Sequence, residues 1–167
     1  MKKQGFTLIE LMVVIVIMGI LAAVAVPKLF GMIAKSKASE VPTAAGTWIN
    51  MQDAYFQEAN DVGDWVKIGY TGPGAADPSN KSSYASNTFT YTGNNCGSGT
   101  ECTWTAAPKQ KLNDCLPSEN EKWSLQAATS GDNGNGKYTA FEISDNESSD
   151  DCKTLTASWN NLMGSHN

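Results

Sequence analysis

Arginine is absent from this 167-residue chain, and histidine occurs once, at His166. Without arginine there is no planar fork to clamp a phosphate or carboxylate, so a nucleic-acid surface would have to rest on clustered lysines. The lysines do not cluster that way. Past residue 40 there are 7 lysines against 15 acids, and the formal charge of the whole chain is −5. Neighbours such as Lys109 and Lys111 read as solvated loop charges, and no nucleic-acid partner is expected. The chain also lacks G-x-S-x-G, G-x-x-x-x-G-K-[ST] and G-x-G-x-x-G, the patterns that build a nucleophile elbow or cradle a phosphate. The lone His166 has no partner set for acid–base work, so neither an enzyme nor a cofactor is expected.

Cysteine is scarce and confined to the distal part, at Cys96, Cys102, Cys115 and Cys152. No C-x2-C spacing occurs, which argues against structural zinc. An even number lying beyond an apolar segment points instead to an oxidising exterior and two disulfides, with three pairings open. With all four paired, no thiol nucleophile would remain.

What is present is concentrated at the start. Lys2 and Lys3 precede an apolar run from Phe6 to Val26. These 21 residues span about 31 Å as a helix, close to the ~30 Å hydrocarbon core of a bilayer. The preceding lysines place the N-terminus on the cytoplasmic side. The one charge inside the run is Glu10. A carboxylate at the centre of such a span costs on the order of 3 kcal/mol, less near an end, so a partner is expected. No lysine follows until Lys28. Cutting the chain between Gly5 and Phe6 would create an α-amine four residues upstream of Glu10. An ordinary secretory signal ending at Ala23-Val24-Ala25 and a plain single-span anchor are the competing readings. The length of the run and the unexplained Glu10 count against the secretory signal.

This segment resembles the class III signal of type IV pilins and type II secretion pseudopilins. The resemblance is carried by Lys2-Lys3-Gln4-Gly5 followed by Phe6-Thr7-Leu8-Ile9-Glu10-Leu11-Met12-Val13-Val14. It continues through Ile17-Met18-Gly19-Ile20-Leu21-Ala22-Ala23-Val24-Ala25-Val26-Pro27, and covers about the first forty residues. It implies a leader of residues 1–5, removed by a membrane-embedded prepilin peptidase that cuts after Gly5 and methylates the amine of Phe6. It also implies that Glu10 meets the amine of a neighbouring subunit. The implied partners are that peptidase, an inner-membrane platform, assembly ATPases and further copies of the chain.

Gly19 and Pro27 interrupt an otherwise strong helix, since glycine costs about 1 kcal/mol in a helix interior and proline removes a backbone hydrogen bond. Membrane helices tolerate both; a softened segment between them would resemble the part of the pilin helix that loosens in filaments. Helical periodicity continues past the apolar run, with Val41, Ala45, Trp48 and Tyr55 on one face and Ile49, Met51 and Phe56 beside it. The spacing predicts a helix over 6–60 with a membrane-spanning half over 6–26. Pro42 either bends it or opens a new turn.

Residues 61–167 are rich in Gly, Asn, Ser, Thr and Asp. Strands are expected at 87–92, 101–106, 123–129, 137–144 and 153–159. A long helix on such an antiparallel sheet gives an α+β fold, which the resemblance implies is a pilin roll. The flexible stretch Gly97-Ser98-Gly99-Thr100-Glu101 favours a Cys96–Cys102 bridge. A Cys115–Cys152 bridge would resemble the disulfide-bounded C-terminal region of many pilins. Some pseudopilins hold calcium near the C-terminus; Asp132, Asn133, Asn135, Asp145, Asp150 and Asp151 carry suitable oxygens, but their spacing does not match D-x-[DN]-x-[DN]-G, and the 130–136 loop reads first as a hairpin connection. Trp65, Trp104, Trp123, Trp159, Tyr70 and Tyr84 could form a sugar-binding platform or fill a small core. The expected function is a structural subunit of a type IV pilus, with a type II secretion pseudopilin and a membrane-anchored carbohydrate-binding adhesin as alternatives.

Overall fold

A computed structural model describes residues 5–94, 96, 101–117, 123–129, 136–141 and 150–163. Helices α1 (Leu8–Ala38) and α2 (Glu40–Ala59) meet at Ser39, whose φ of −63° and ψ of −16° keep it in the right-handed helical region. The two therefore run as one rod of 52 residues, about 78 Å long. Pro42 lies in the first turn of α2, the part of a helix that best tolerates a residue without an N–H. The rod ends at Asn60, which takes a left-handed conformation (φ 53°) and donates its N–H to the Phe56 carbonyl at 2.8 Å, as a short polar residue does at a helix terminus.

Six antiparallel strands follow in sequence order as one meander. They are β1 (Ala75–Asp77), β2 (Asn80–Ala85), β3 (Phe89–Gly93), β4 (Cys102–Pro108), β5 (Trp123–Thr129) and β6 (Gly136–Phe141). The period of two is explicit in β4, where Cys102, Trp104, Ala106 and Pro108 are buried and the residues between them are half-exposed. Together with Phe89 and Tyr91 of β3, these residues form the face that takes Val41, Ala45, Trp48 and Ile49 of α2. The fold is α+β, a long helix packed on one antiparallel sheet.

Two departures from the sequence reading have physical causes. Strands β1 and β2 were not expected, because Ala-Ala-Asp and Asn-Lys-Ser-Ser-Tyr-Ala carry no β-branched residue. They form by pairing onto β3, and Asp77 Oδ1 accepts the Ser79 N–H at 2.8 Å to hold the turn between them. Conversely, 153–159 is not a strand. Helix α3 (Asp150–Lys153) is followed by turns and a 3-10 helix, Trp159–Met163. Here Leu155, Thr156 and Trp159 each donate an N–H three residues back, to Cys152, Lys153 and Thr156. Leu155 and Trp159 are both buried at a spacing of four, which suits a helical turn rather than a pleat. Residues 142–144 of the strand expected at 137–144 lie outside the described residues.

Buried polar groups tie the helix to the sheet. Trp104 donates its indole N–H to the Tyr70 hydroxyl at 3.0 Å, and Tyr70 donates on to the Ala44 carbonyl of α2 at 3.1 Å. Tyr91 of β3 donates to Glu40 Oε1 at 2.7 Å. Gln52, fully buried, donates to the Gly63 carbonyl at 2.7 Å and accepts its N–H at 3.2 Å, closing the turn that leaves the helix. At Gly93 an added Cβ would overlap the Trp65 indole, so only glycine leaves room for that ring against β3. Cys96 is bonded to Cys102 and Cys115 to Cys152, across 6 and 37 residues of sequence, and all four are buried.

Two outcomes are expected. Burial pushes the Tyr70 hydroxyl up to about 12, from an ordinary value of about 10. A raised pKa means the folded state favours the protonated phenol, so its stabilisation is complete below pH ~10 and is lost as pH rises towards ~12. Denaturant unfolding across that window should show a fall in stability that Tyr70→Phe makes shallower; an unchanged slope would contradict the assignment. Replacing Cys115 and Cys152 by serine should cost about 4 kcal/mol against about 2 kcal/mol for Cys96 and Cys102, because the longer bridge restrains more unfolded chain. Equal losses in paired thermal scans would refute the loop-length account.

Candidate functional site

The domain covers only one end of its helix. In α1 the buried residues are Ala34 and Ala38, and every large apolar residue before them is exposed, from Phe6 at 81% to Ile33 at 43%. A continuous apolar surface of this size on one rod is not a water-facing surface. It is long and apolar enough to cross a membrane by length and composition.

Gly5 and Phe6 precede the helix, in neither helix nor strand, and both are exposed. Lys2 and Lys3 lie outside the described residues. Thr7 is the N-cap (φ −85°, ψ 149°) and forms a reciprocal capping box with Glu10. The Thr7 N–H and hydroxyl donate to Glu10 Oε2 at 2.8 and 2.6 Å, and the Glu10 N–H donates to Thr7 Oγ1 at 3.4 Å. Among the described residues, both bonds that the Glu10 carboxylate accepts fall on Oε2. Thr7 was missed as a partner of Glu10, although Thr-x-x-Glu before an apolar run is the sequence signature of such a box. Its negative charge also faces the positive end of the helix dipole. Gly19 and Pro27 stand within α1, which stays helical through both in the single chain. They lie about 12 Å apart along the axis.

The other candidates lie away from this surface. Asp132, Asn133, Asn135 and Asp145 are outside the described residues, and Asp150 and Asp151 begin α3. Among the described residues no group of three or more acids, histidines or cysteines is placed to hold a metal ion. Trp65, Tyr70, Trp104, Trp123 and Trp159 are buried, so they build the core rather than a sugar platform. Trp104 stacks on Trp159 with centroids 6.2 Å apart, and Trp65 stacks on the half-buried Tyr84 at 6.1 Å.

Residues 1–26 match the family described as the prokaryotic N-terminal methylation motif. The chain is 41% identical over 70 residues to the type IV major pilin protein PilA of Myxococcus xanthus, a stretch covering 41% of this chain and 32% of that protein. It is 39% identical over 75 residues to the type IV major fimbrial protein FimA of Dichelobacter nodosus, covering 45% and 47% respectively. It is 56% identical over 43 residues to a fimbrial protein of Moraxella nonliquefaciens, covering 26% and 28%. The matched stretches span about a third to a half of the first two relatives. Through its N-terminal methylation motif and these matched stretches, the chain is similar to type IV major pilin and fimbrial proteins.

Proposed function

We propose that this chain is a structural subunit of a type IV pilus, held in the inner membrane as a precursor and polymerised through its apolar N-terminal helix. The observation that carries this reading is the exposed apolar rod that begins within a methylation motif and ends where the domain starts to cover it. Before assembly, lipid solvates the rod; afterwards, identical rods do. Because lipid is already apolar, exchanging one for the other yields only a modest gain per area. Extraction therefore calls for an inner-membrane platform and ATPases as partners. Lys2 and Lys3 favour a cytoplasmic N-terminus. A prepilin peptidase would cut between Gly5 and Phe6 and methylate Phe6, and Glu10 would then meet the amine of a neighbouring copy. Repeated asymmetric contacts that do not close on themselves generate a helical filament, with the domain as its coat. The chain is a substrate of the peptidase and not itself a catalyst. That its relatives are pilin and fimbrial proteins favours the pilus over the pseudopilin.

Gly5→Ala, or a bulkier change, is expected to block processing, so that the mass of membrane-extracted chain retains residues 1–5; a normal mature mass would refute the cleavage site. Glu10→Ala is expected to insert in the membrane normally yet weaken subunit association about tenfold or more, the worth of one charge-assisted hydrogen bond. Yields of sheared fibres against membrane-bound chain measure it, and a wild-type ratio would remove Glu10 from assembly.

A further inference from the structure

The exposed apolar surface is longer than a bilayer is thick. Leu8 to Ile33 is 26 residues of helix, about 39 Å against ~30 Å of hydrocarbon. The excess is the segment after Pro27, where Leu29, Phe30, Met32 and Ile33 are 56%, 64%, 61% and 43% exposed. The domain's first buried contact is at Ala34, one residue further on. If the span ended at Val26, a bare apolar collar about 10 Å tall would separate membrane from domain.

Along the helix up to Ser39, the charges beside this collar are of one sign. Between Leu11 and Ser39 the chain carries Lys28, Lys35 and Lys37 and no acid. Lys28 and Lys35 are seven residues apart and share a face; Lys37 flanks the domain on another side. The domain end nearest the collar adds to them. Lys37 and Ser36 share a groove of about 490 Å³ with Thr71, Pro73 and Thr88. Lys109 donates its backbone N–H to the Thr88 carbonyl and its Nζ to the Ser86 carbonyl. Glu40, which also lines the groove, is engaged by the Tyr91 hydroxyl.

Resting on the membrane-anchored precursor proposed above, we infer that the collar is a lipid-binding surface specific for anionic phospholipid headgroups, with the helix tilted so that hydrocarbon extends to Ile33. A tilt of about 40° fits 39 Å of apolar helix into ~30 Å, at the upper end of the range seen for membrane helices. Lys35 and Lys37 then lie at the headgroups, Lys28 reaches them by extending its stem along the helix, and the domain end bearing Lys109 rests on the surface. Lipid covers the collar in this state, and a second copy covers it only after extraction.

The test places a nitroxide at Met32→Cys in the full chain with both disulfides intact, with Ile20→Cys and Thr47→Cys as references. The chain is reconstituted at high lipid dilution in phosphatidylcholine vesicles with or without phosphatidylglycerol. Collision with oxygen against a water-soluble nickel complex reports depth. The label at 32 is expected to read as hydrocarbon, like the label at 20. Changing Lys28, Lys35 and Lys37 to Gln should shift its population towards water by about fivefold per lysine in phosphatidylglycerol vesicles, and far less without that lipid. A label at 32 that reads like Thr47 while 20 reads hydrocarbon overturns the inference alone. So does spin–spin broadening at 32 that persists on dilution, which would seat a second copy there. A lysine effect of equal size in both vesicles removes the anionic specificity. A label at 20 in water overturns the membrane-anchored reading as well.

Discussion

A rod of 52 residues cannot be enclosed by the domain that follows it, and the rest of the molecule is arranged around that mismatch. Burial starts at Ala34 and is dense from Val41 to Gln52. One half of the helix is therefore a core element of its own domain, and the other half is a core element without a core. The division follows side-chain chemistry. Apart from Glu10 and Lys28, residues from Leu8 to Ile33 are apolar on all sides, whereas α2 carries Thr43, Thr47 and Asn50 on the face turned from the sheet. A helix that is apolar all round needs an apolar environment all round, and neither water nor this small sheet supplies one.

The domain holds its half of the rod through buried polar bonds as much as through packing. The relay Trp104 to Tyr70 to Ala44 and the Tyr91–Glu40 bond connect strands to the first turns of α2. Trp123 donates to Thr156 Oγ1 at 2.8 Å and so fixes the segment that follows the Cys115–Cys152 bridge. Burying a hydroxyl or indole N–H without a partner costs about 1–3 kcal/mol. Each such bond therefore specifies a single register of helix on sheet, where a purely apolar interface would tolerate slippage. In a filament that register would decide how accurately each domain sits above its rod.

The N-terminal half was legible in the sequence because its signal is a property of many consecutive residues. An unbroken apolar run with one acid has few structural meanings, and the alternation in β3 and β4 was nearly as plain, while that in β5 was weaker. The places that were not legible are those where a residue's role depends on something distant. Asn80–Ala85 becomes a strand only because β3 offers it an edge. Gln52 reads as a polar interruption of an apolar face, and its burial makes sense only once Gly63 lies against it. The 153–159 segment alternates like a strand, yet the bridge to Cys115 and local turn bonds hold it as turns. The capping box at Thr7 is the exception: it is local, and it was readable.

That box bears on how a charge is tolerated in an apolar rod. Glu10 was expected to need an amine, and the single chain already gives its Oε2 two donors from Thr7. Near the end of a membrane span the remaining cost is modest, because the insertion penalty falls away from the centre. Within a bundle of rods no water or headgroup is at hand, and hydrogen bonds alone leave a net negative charge in a low dielectric. In the filament proposed above, a cationic N-terminus from a neighbouring copy would then stabilise the bundled state far more than the dispersed one. On that proposal lipid solvation would make the subunit stable alone, and the uncompensated charge, rather than apolar area, would supply the preference for one axial placement of rod against rod.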